Sequence, residues 1–192
     1  MKRYILTGAP GAGKTVVLRQ LELQGFGVVE EAATDLIALQ QAQGIAEPWT
    51  GASFLDSVAE LQKGRQIRSA AEPVAVQFHD RSAVCTAALA AFLRMPVTAG
   101  LERELERIRA EQIFERQVFL LRNLGFIART EARRISLEEA LRFERIHEDT
   151  YRHFGFEIVT IGPGTPLERA AAITKAVLDA SDGNVTSRLA QP

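Results

Sequence analysis

The sequence predicts an α/β fold in which a parallel β-sheet carries helices on both faces, and two observations lead to this prediction. First, five short apolar segments alternate along the chain with longer segments of helical periodicity. Such alternation is typical of βαβ units, whose strands lie parallel in one sheet. Second, the segment between the first strand and the first helix fits G-x-x-x-x-G-K-[ST], a phosphate-binding pattern that occurs at this place in such sheets.

The phosphate-binding pattern is formed by Gly8, Ala9, Pro10, Gly11, Ala12, Gly13, Lys14 and Thr15. Its glycines let the backbone turn its N–H groups toward phosphate oxygens. The following helix, which begins near Val16, adds its free N–H groups and the positive end of its dipole. Lys14 is expected to contact the β- and γ-phosphates, and the hydroxyl group of Thr15 is expected to bind Mg²⁺.

The first half of the chain contains three predicted strands and three predicted helices. In order they are strand 3–7, helix 16–24, strand 27–30, helix 32–41, helix 53–71 and strand 74–78. Gly25 is expected to end the first helix, and a segment that contains Pro48 is expected to separate the second helix from the third. The third helix has apolar residues at helical spacing, and the strand after it is almost continuously apolar, as a strand covered on both faces should be.

The second half continues the alternation with four helices and two strands. In order they are helix 82–93, a helix from about 98, strand 117–121, helix 136–154, strand 156–161 and helix 165–180. Ser136 and Glu139 form a capping-box pattern at the start of the helix that follows the fourth strand. Residues 1–180 are expected to form one domain with a small lid at about 122–135, and the polar residues 181–192 a flexible tail.

Composition and charge argue against several classes of function. The 192 residues carry a formal net charge of −1, which gives no global attraction for nucleic acid or for an anionic membrane. No apolar run approaches the roughly 18 residues that span a bilayer. Cys85 is the only cysteine, so no disulfide can form within the chain. We expect no signal peptide, because the N-terminus leads directly into a predicted strand. We therefore expect a cytoplasmic protein, either monomeric or homodimeric.

Charged residues follow the predicted strands at the edge where parallel α/β sheets bind ligands. Glu31 follows the second strand, and Asp80 and Arg81 follow the third. After the fourth strand, the predicted lid carries Arg122, Arg129, Arg133 and Arg134 against a single acidic residue, Glu131. Arg129 and Arg133 are four residues apart and would share one face of a helix, so we expect them, and Arg133 in particular, to contact the phosphates of a nucleotide.

These motifs, in their order along the chain, resemble those of the small stand-alone AAA-domain P-loop ATPases, which are kinase-like and related to ribosylnicotinamide kinases. The resemblance covers about residues 1–178 and rests on GAPGAGKT, the VEEAA segment at 29–33, Pro48-Trp49, Asp80-Arg81 and the TEARR segment at 130–134. Asp80-Arg81-Ser82 is also similar to the acid-Arg-Ser triplet of deoxynucleoside and thymidylate kinases. The resemblance implies a three-layer P-loop NTPase fold, a five-stranded sheet in the order 2-3-1-4-5, and phosphoryl transfer from ATP.

Four residues are candidates for roles in phosphoryl transfer. Asp80 is expected either to bind Mg²⁺ with Thr15 or to take the proton of an acceptor hydroxyl, and its alternative role is to cap the following helix. Glu31 is the other candidate base or holds a substrate hydroxyl, with a solvated surface carboxylate as the alternative. Arg81 is expected to contact the transferred phosphoryl group or a phosphate of the acceptor, with a surface ion pair with Asp80 as its alternative. Arg133 is expected to contact the ATP phosphates.

Three hypotheses for function stay open on the sequence alone. The first is a kinase that transfers the γ-phosphoryl group of Mg-ATP to a hydroxyl of a nucleoside-like small molecule. The second is an ATP-hydrolysing switch that acts on a protein partner, and the third is a nucleotide-binding module without catalysis. Trp49 either stacks on a substrate ring or packs in the interior, and His79 is expected to be structural. His147 lacks the second histidine of a zinc-binding helix.

Overall fold

The computed structural model describes residues 1–51, 53–125 and 136–189, and its sheet has five strands. These are β1 (Lys2–Thr7), β2 (Gly27–Val29), β3 (Val76–Asp80), β4 (Gln117–Leu121) and β5 (Glu157–Ile161). All neighbouring pairs are parallel, and the strand order is β2-β3-β1-β4-β5. This architecture confirms the predicted α/β fold and the strand order that the family resemblance implied.

Seven α-helices flank this sheet within the described residues. They are α1 (Lys14–Leu23), α2 (Ala33–Ala42), α3 (Phe54–Ser69), α4 (Ala83–Leu93), α5 (Ala99–Ala110), α6 (Leu137–His153) and α7 (Pro166–Leu189). The last helix continues beyond its predicted end at about residue 180, whereas flexibility of 181–192 stays a prediction. None of the helices in the described ranges is both long and apolar enough to cross a membrane.

Separate apolar clusters cover the two faces of the sheet. On one face, Tyr4, Leu6 and Phe119 pack with residues of α1 and α7. On the other face, Ile5 and Val118 pack with residues of α3, α4, α5 and α6. Successive residues of a strand point to opposite faces, so the continuous apolar runs of β1 and β4 serve both clusters.

Strand β3 begins and ends two residues later than predicted, at Val76–Asp80 instead of 74–78. Its pairing with β1 extends to the residue pair Leu6 and Asp80, so His79 and Asp80 belong to the strand although they are polar. The predicted strand ends at Phe78 because the apolar run ends there. An apolar run carries no information on how far a strand continues to pair with its neighbour. Asp80 is therefore the last residue of β3, at the carboxyl edge of the sheet.

Helix α6 begins with the predicted capping box. The Ser136 hydroxyl accepts a hydrogen bond from the Glu139 N–H group, and the Glu139 carboxylate accepts one from the Ser136 N–H group at 2.8 Å. These two bonds fix the start of α6 directly after residues 126–135. Those ten residues lie outside the described part of the chain and include the predicted lid arginines Arg129, Arg133 and Arg134.

Gly8 is expected to be the glycine of the phosphate-binding loop that tolerates a side chain least. It has φ +132°, and a Cβ atom would lie 2.5 Å from the carbonyl oxygen of Leu121. Gly8→Ala should lower the free energy of unfolding by about 2 kcal/mol or more, since backbone strain alone costs about 1–3 kcal/mol. Gly25→Ala is the matched control, because Gly25 has φ +89° but nothing within 4 Å of its Cβ position. Urea unfolding of both variants measures the difference, and equal losses would contradict this account.

Candidate active site

The phosphate-binding loop joins β1 to α1, and the side chain of Lys14 folds back onto it. Lys14 is only 6% exposed, and its Nζ atom donates hydrogen bonds to the carbonyl oxygens of Gly8 (3.0 Å) and Ala9 (3.1 Å). Burial, together with the nearby charge of Arg81, lowers the pKa of Lys14 to about 8. A phosphate group in the loop would favour the charged ammonium again, so phosphate binding and protonation of Lys14 support each other.

Asp80 and Thr15 meet at the start of α1. The Thr15 hydroxyl donates a hydrogen bond to Asp80 Oδ2 (3.1 Å), and Asp80 is 1% exposed. The other carboxylate oxygen, Oδ1, is buried without a hydrogen-bond partner among the described residues. Burial raises the pKa of Asp80, and the negative charge of Glu31 adds to this, against the opposing effect of Lys14.

This pair of oxygen donors fits Mg²⁺, which prefers carboxylate and hydroxyl oxygens and keeps several water or phosphate ligands at nucleotide sites. A cation would also give the unpaired Oδ1 atom of Asp80 the partner that the protein does not supply. The described ranges contain no cluster of three or more His, Cys, Asp or Glu side chains that could hold a metal ion. A Mg²⁺ ion at this place would take further ligands from phosphate and water, as it usually does at nucleotide sites.

Glu31 and Arg81 form an ion pair close to Lys14 and Asp80. The Arg81 Nε atom lies 2.8 Å from Glu31 Oε1, and the two side chains are 11% and 21% exposed, respectively. Thr34 donates a further hydrogen bond to Glu31 Oε2 (3.2 Å). Burial opposes ionisation of Glu31, but the charges of Arg81 and Lys14 outweigh it and hold the pKa of that carboxyl below its ordinary value. Glu31 is therefore ionised at neutral pH. The alternative role predicted for Arg81 is a surface ion pair with Asp80, whereas its ion pair in the structure is with Glu31.

His147, on α6, makes a second contact with the Arg81 guanidinium. Its Nδ1 atom lies 2.8 Å from the carbonyl oxygen of Phe143, which can only accept, so Nδ1 carries the proton. Its Nε2 atom is then an acceptor, 3.0 Å from Arg81 Nη1. Burial, together with the positive charge of Arg81, lowers the pKa of His147 well below its ordinary value. His147 is thus a neutral imidazole with one defined tautomer.

The backbone around Arg81 is held as firmly as its side chain. Arg81 has φ +73°, a left-handed conformation that is uncommon for residues with a side chain, and its N–H group donates to the carbonyl oxygen of Leu6 (3.0 Å). Gln62, buried on α3, donates from Nε2 to the carbonyl oxygens of Asp80 (3.2 Å) and Arg81 (3.1 Å). Such conformations cluster at functional sites, because the surrounding contacts must compensate their strain.

A cavity of about 620 Å³ extends from the phosphate-binding loop into the space between α2, α3, α4 and α6. Glu31 and Arg81 line it near the loop, while Trp49, Phe92 and Phe143 contribute aromatic wall. Its volume lies within the range of about 300–1,000 Å³ that is usual for small-molecule sites. The cavity therefore joins a phosphate-binding loop, an ionised carboxylate and an apolar chamber.

Two arginines near the loop have roles that the sequence patterns did not indicate. Arg169, buried on α7, donates to the carbonyl oxygens of Ala12 (2.6 Å) and Arg122 (3.1 Å), so it supports the loop from behind. Arg122, the first residue of the predicted lid, pairs with Glu144 (3.1 Å) and Glu148 (3.0 Å) of α6. No local motif marks Arg169, because its contact with Ala12 joins residues 157 positions apart.

The structure brings together most of the residues that the sequence nominated. Lys14, Thr15, Glu31, Asp80 and Arg81 meet at the carboxyl edge of the sheet, beside the loop residues Gly8, Ala9, Pro10, Gly11, Ala12, Gly13 and Val16. His79 is buried within β3, where its Nε2 atom is 2.9 Å from Gln77 Oε1 and its ring meets Phe114 edge-on. Arg129 and Arg133 are outside the described residues, so their predicted contacts with phosphate stay predictions.

The fold and this site define a P-loop nucleotide-binding protein with a kinase-like architecture. The sequence matches the family described as AAA domain over residues 3–169, and the chain belongs to this family. The resemblance inferred from the motifs is therefore confirmed. No curated protein matches the sequence.

Three solved structures share the fold at low sequence identity. The NadR protein in complex with NAD and AMP-PNP has a TM-score of 0.65 and 19% identity, over 90% of this chain and 48% of that one. Shikimate kinase from Acinetobacter baumannii in complex with shikimate has a TM-score of 0.57 and 17% identity, over 94% of both chains. Deoxyadenosine kinase from M. mycoides, with dCMP and dCDP bound, has a TM-score of 0.58 and 11% identity, over 92% of this chain and 99% of that one.

The chain spans about half the length of the NadR chains that it resembles, with 48% and 51% of them covered. At these identities the likeness establishes the fold.

The two buried histidines are expected to make the protein less stable as the pH falls. Burial lowers the pKa of His79 to about 3, and that of His147 also lies well below its ordinary value. In the unfolded chain both have a pKa of about 6.5. The unfolded chain therefore binds up to two more protons below this pH, and the free energy of unfolding should fall by up to about 2.7 kcal/mol per pH unit.

His147→Gln tests this account, because its carboxamide oxygen replaces Nε2 as the acceptor for Arg81 but takes up no proton. The slope of stability against pH between about pH 7 and pH 5, measured by urea unfolding, should decrease by roughly half. Glu31 and Asp80 are present in both proteins, so the comparison isolates the histidine. An unchanged slope would contradict a neutral, buried His147.

Proposed function

We propose that the protein transfers the γ-phosphoryl group of Mg-ATP to a hydroxyl group of a small, nucleoside-like acceptor. One observation carries this proposal: the ionised Glu31 lines the same cavity as the phosphate-binding loop. An acceptor hydroxyl held by Glu31 would therefore face a phosphoryl group held by Lys14. An ATPase needs room only for a water molecule beside the γ-phosphate, whereas this cavity continues beyond the loop into an apolar chamber between α2, α3, α4 and α6.

The donor end of the site consists of backbone N–H groups of the loop and of the start of α1, from Gly11 to Val16 with the exception of Ala12, together with the ammonium of Lys14. Thr15 and Asp80 would hold Mg²⁺, which neutralises charge on the phosphate oxygens when it is bound. We assign Arg129 and Arg133 of the predicted lid to the same phosphates. Phosphoryl transfer depends mainly on positioning and on electrostatic stabilisation, and these groups supply both.

At the acceptor end, Glu31 is assigned to the acceptor hydroxyl and Asp80 to the metal ion. Glu31 lines the cavity, whereas the buried Asp80 carboxylate is bound to Thr15 at the start of α1. The acceptor oxygen forms a bond to the γ-phosphorus, the bond from phosphorus to the bridging oxygen breaks, and ADP leaves with that electron pair. The hydroxyl proton passes to the Glu31 carboxylate, while Arg81 orients this carboxylate through their ion pair.

Acceptor-dependent ADP release distinguishes a kinase from an ATPase. We expect Mg-ATP alone to give slow ADP release, and at least one compound in a panel of nucleosides, nucleotides and sugars to accelerate it. Lys14→Ala should reduce the stimulated rate at least about 10²-fold, since it removes a charge that contacts the transferred group. ADP release that no acceptor changes would favour the ATPase instead, and binding without ADP release would favour a non-catalytic module.

Asp80→Asn is expected to retain nucleotide binding but to lose turnover. The substitution keeps the hydrogen bond to Thr15 and removes the negative charge assigned to Mg²⁺, so kcat should fall about 10²-fold or more. Asp35→Asn is the matched control, because Asp35 is an exposed carboxylate of the neighbouring helix α2 that pairs with Arg65. Steady-state kinetics and a nucleotide titration separate the two effects, and full activity of Asp80→Asn would remove Asp80 from the mechanism.

A further inference from the structure

Resting on the proposed function, we infer that the acceptor is an uncharged alcohol with an apolar ring, and that the cavity rejects acceptors that already carry a phosphate or carboxylate group. The inference rests on the composition of the cavity wall and on how each charged side chain in it is already paired.

The chamber beyond the loop is lined mainly by apolar side chains. Among them are Ile37, Trp49, Val58, Leu89, Phe92 and Phe143. Trp49, Leu89 and Phe92 are only partly buried, so the wall presents apolar surface that a ligand would cover. Phe92 and Phe143 are stacked with their ring centroids 4.5 Å apart, so an aromatic pair forms part of the wall. A ring is the complement of such a wall, because aromatic groups gain from offset stacking and from the burial of their faces.

Among the described residues, four charged side chains line the cavity, and their charges sum to zero: Lys14, Arg81, Glu31 and Glu139. Lys14 belongs to the phosphate-binding loop, and Arg81 is held between Glu31 and His147. Glu139 caps α6 through the Ser136 N–H group. The described lining therefore offers no free cation to an anionic acceptor.

A phosphate or carboxylate group on the acceptor would lose its water in this chamber without gaining a positive partner among the residues that the structure describes. Burial of an unpaired anion is strongly unfavourable, and it would also lie near Glu31. Arg142 does not change this balance, because its exposed guanidinium lies over the Phe92 ring, 5.4 Å from the centroid, and is not part of the lining. An uncharged acceptor would neither bury an unpaired charge nor be repelled by Glu31.

The fluorescence of Trp49 can report acceptor binding without turnover, because Trp49 is the only tryptophan in the sequence and lines the cavity. The full chain, with AMP-PNP and Mg²⁺ added to fill the donor loop, is titrated with adenosine, guanosine, cytidine and thymidine and with their 5′-monophosphates. We expect at least one nucleoside to bind with a dissociation constant about ten-fold or more below that of its monophosphate. Equal or tighter binding of the monophosphates, or no binding by any nucleoside, would overturn the inference.

Phe92→Ala tests whether the aromatic wall contributes to this binding. It should weaken nucleoside binding by about ten-fold, as expected when a ligand loses much of a buried aromatic contact. Leu167→Ala is the matched control, since Leu167 is an exposed apolar residue of α7 outside the cavity lining. Both positions are at least partly exposed, and melting temperatures check that each variant folds. Equal binding by Phe92→Ala and the parent protein would also overturn the inference.

ADP release in the same samples, with ATP in place of AMP-PNP, separates this inference from the proposed function. Nucleoside binding without stimulated ADP release supports an uncharged ligand and contradicts the kinase. Release stimulated by a monophosphate but not by its nucleoside supports the kinase and overturns the uncharged acceptor.

Discussion

Four charges at the carboxyl edge of the sheet, two of them buried and two partly buried, constrain the rest of this site. Lys14, Glu31, Asp80 and Arg81 influence one another strongly, and their formal charges cancel. Each is largely removed from water, so the loss of any one would leave an uncompensated charge in a region of low dielectric constant. Three features keep these groups in contact: the ends of β2 and β3, the left-handed backbone at Arg81, and the hydrogen bonds from Gln62.

Helix α6 connects this group of charges to the wall of the cavity. Residues at intervals of four along it face the site: Glu139 and Phe143 line the cavity, His147 contacts Arg81, and the Tyr151 hydroxyl lies 2.9 Å from Ser82 Oγ. This spacing puts all four on one face of the helix. The helix also starts directly after residues 126–135, so the segment predicted as a lid is joined to the element that holds Arg81.

Much of the fold follows from the sequence because parallel strands bring their carboxyl ends to one edge. The phosphate-binding pattern located the loop, and the residues after the second and third strands identified Glu31, Asp80 and Arg81. The partners of these residues were not predictable from local patterns. The Arg81–His147 contact joins residues 66 positions apart, and the Arg169–Ala12 contact joins residues 157 apart. Such pairs depend on how helices pack against the sheet, which helical periodicity does not specify.

The same charge balance bears on how a nucleotide would bind at this site. Arg81, Arg122 and Arg169 lie near the loop, but each is already committed to carboxylates, to His147 or to carbonyl oxygens of the fold. A triphosphate brings several negative charges to a site whose own charges cancel. The proposed function therefore assigns the compensating charge to Lys14, to a Mg²⁺ ion held by Thr15 and Asp80, and to the predicted lid arginines Arg129 and Arg133.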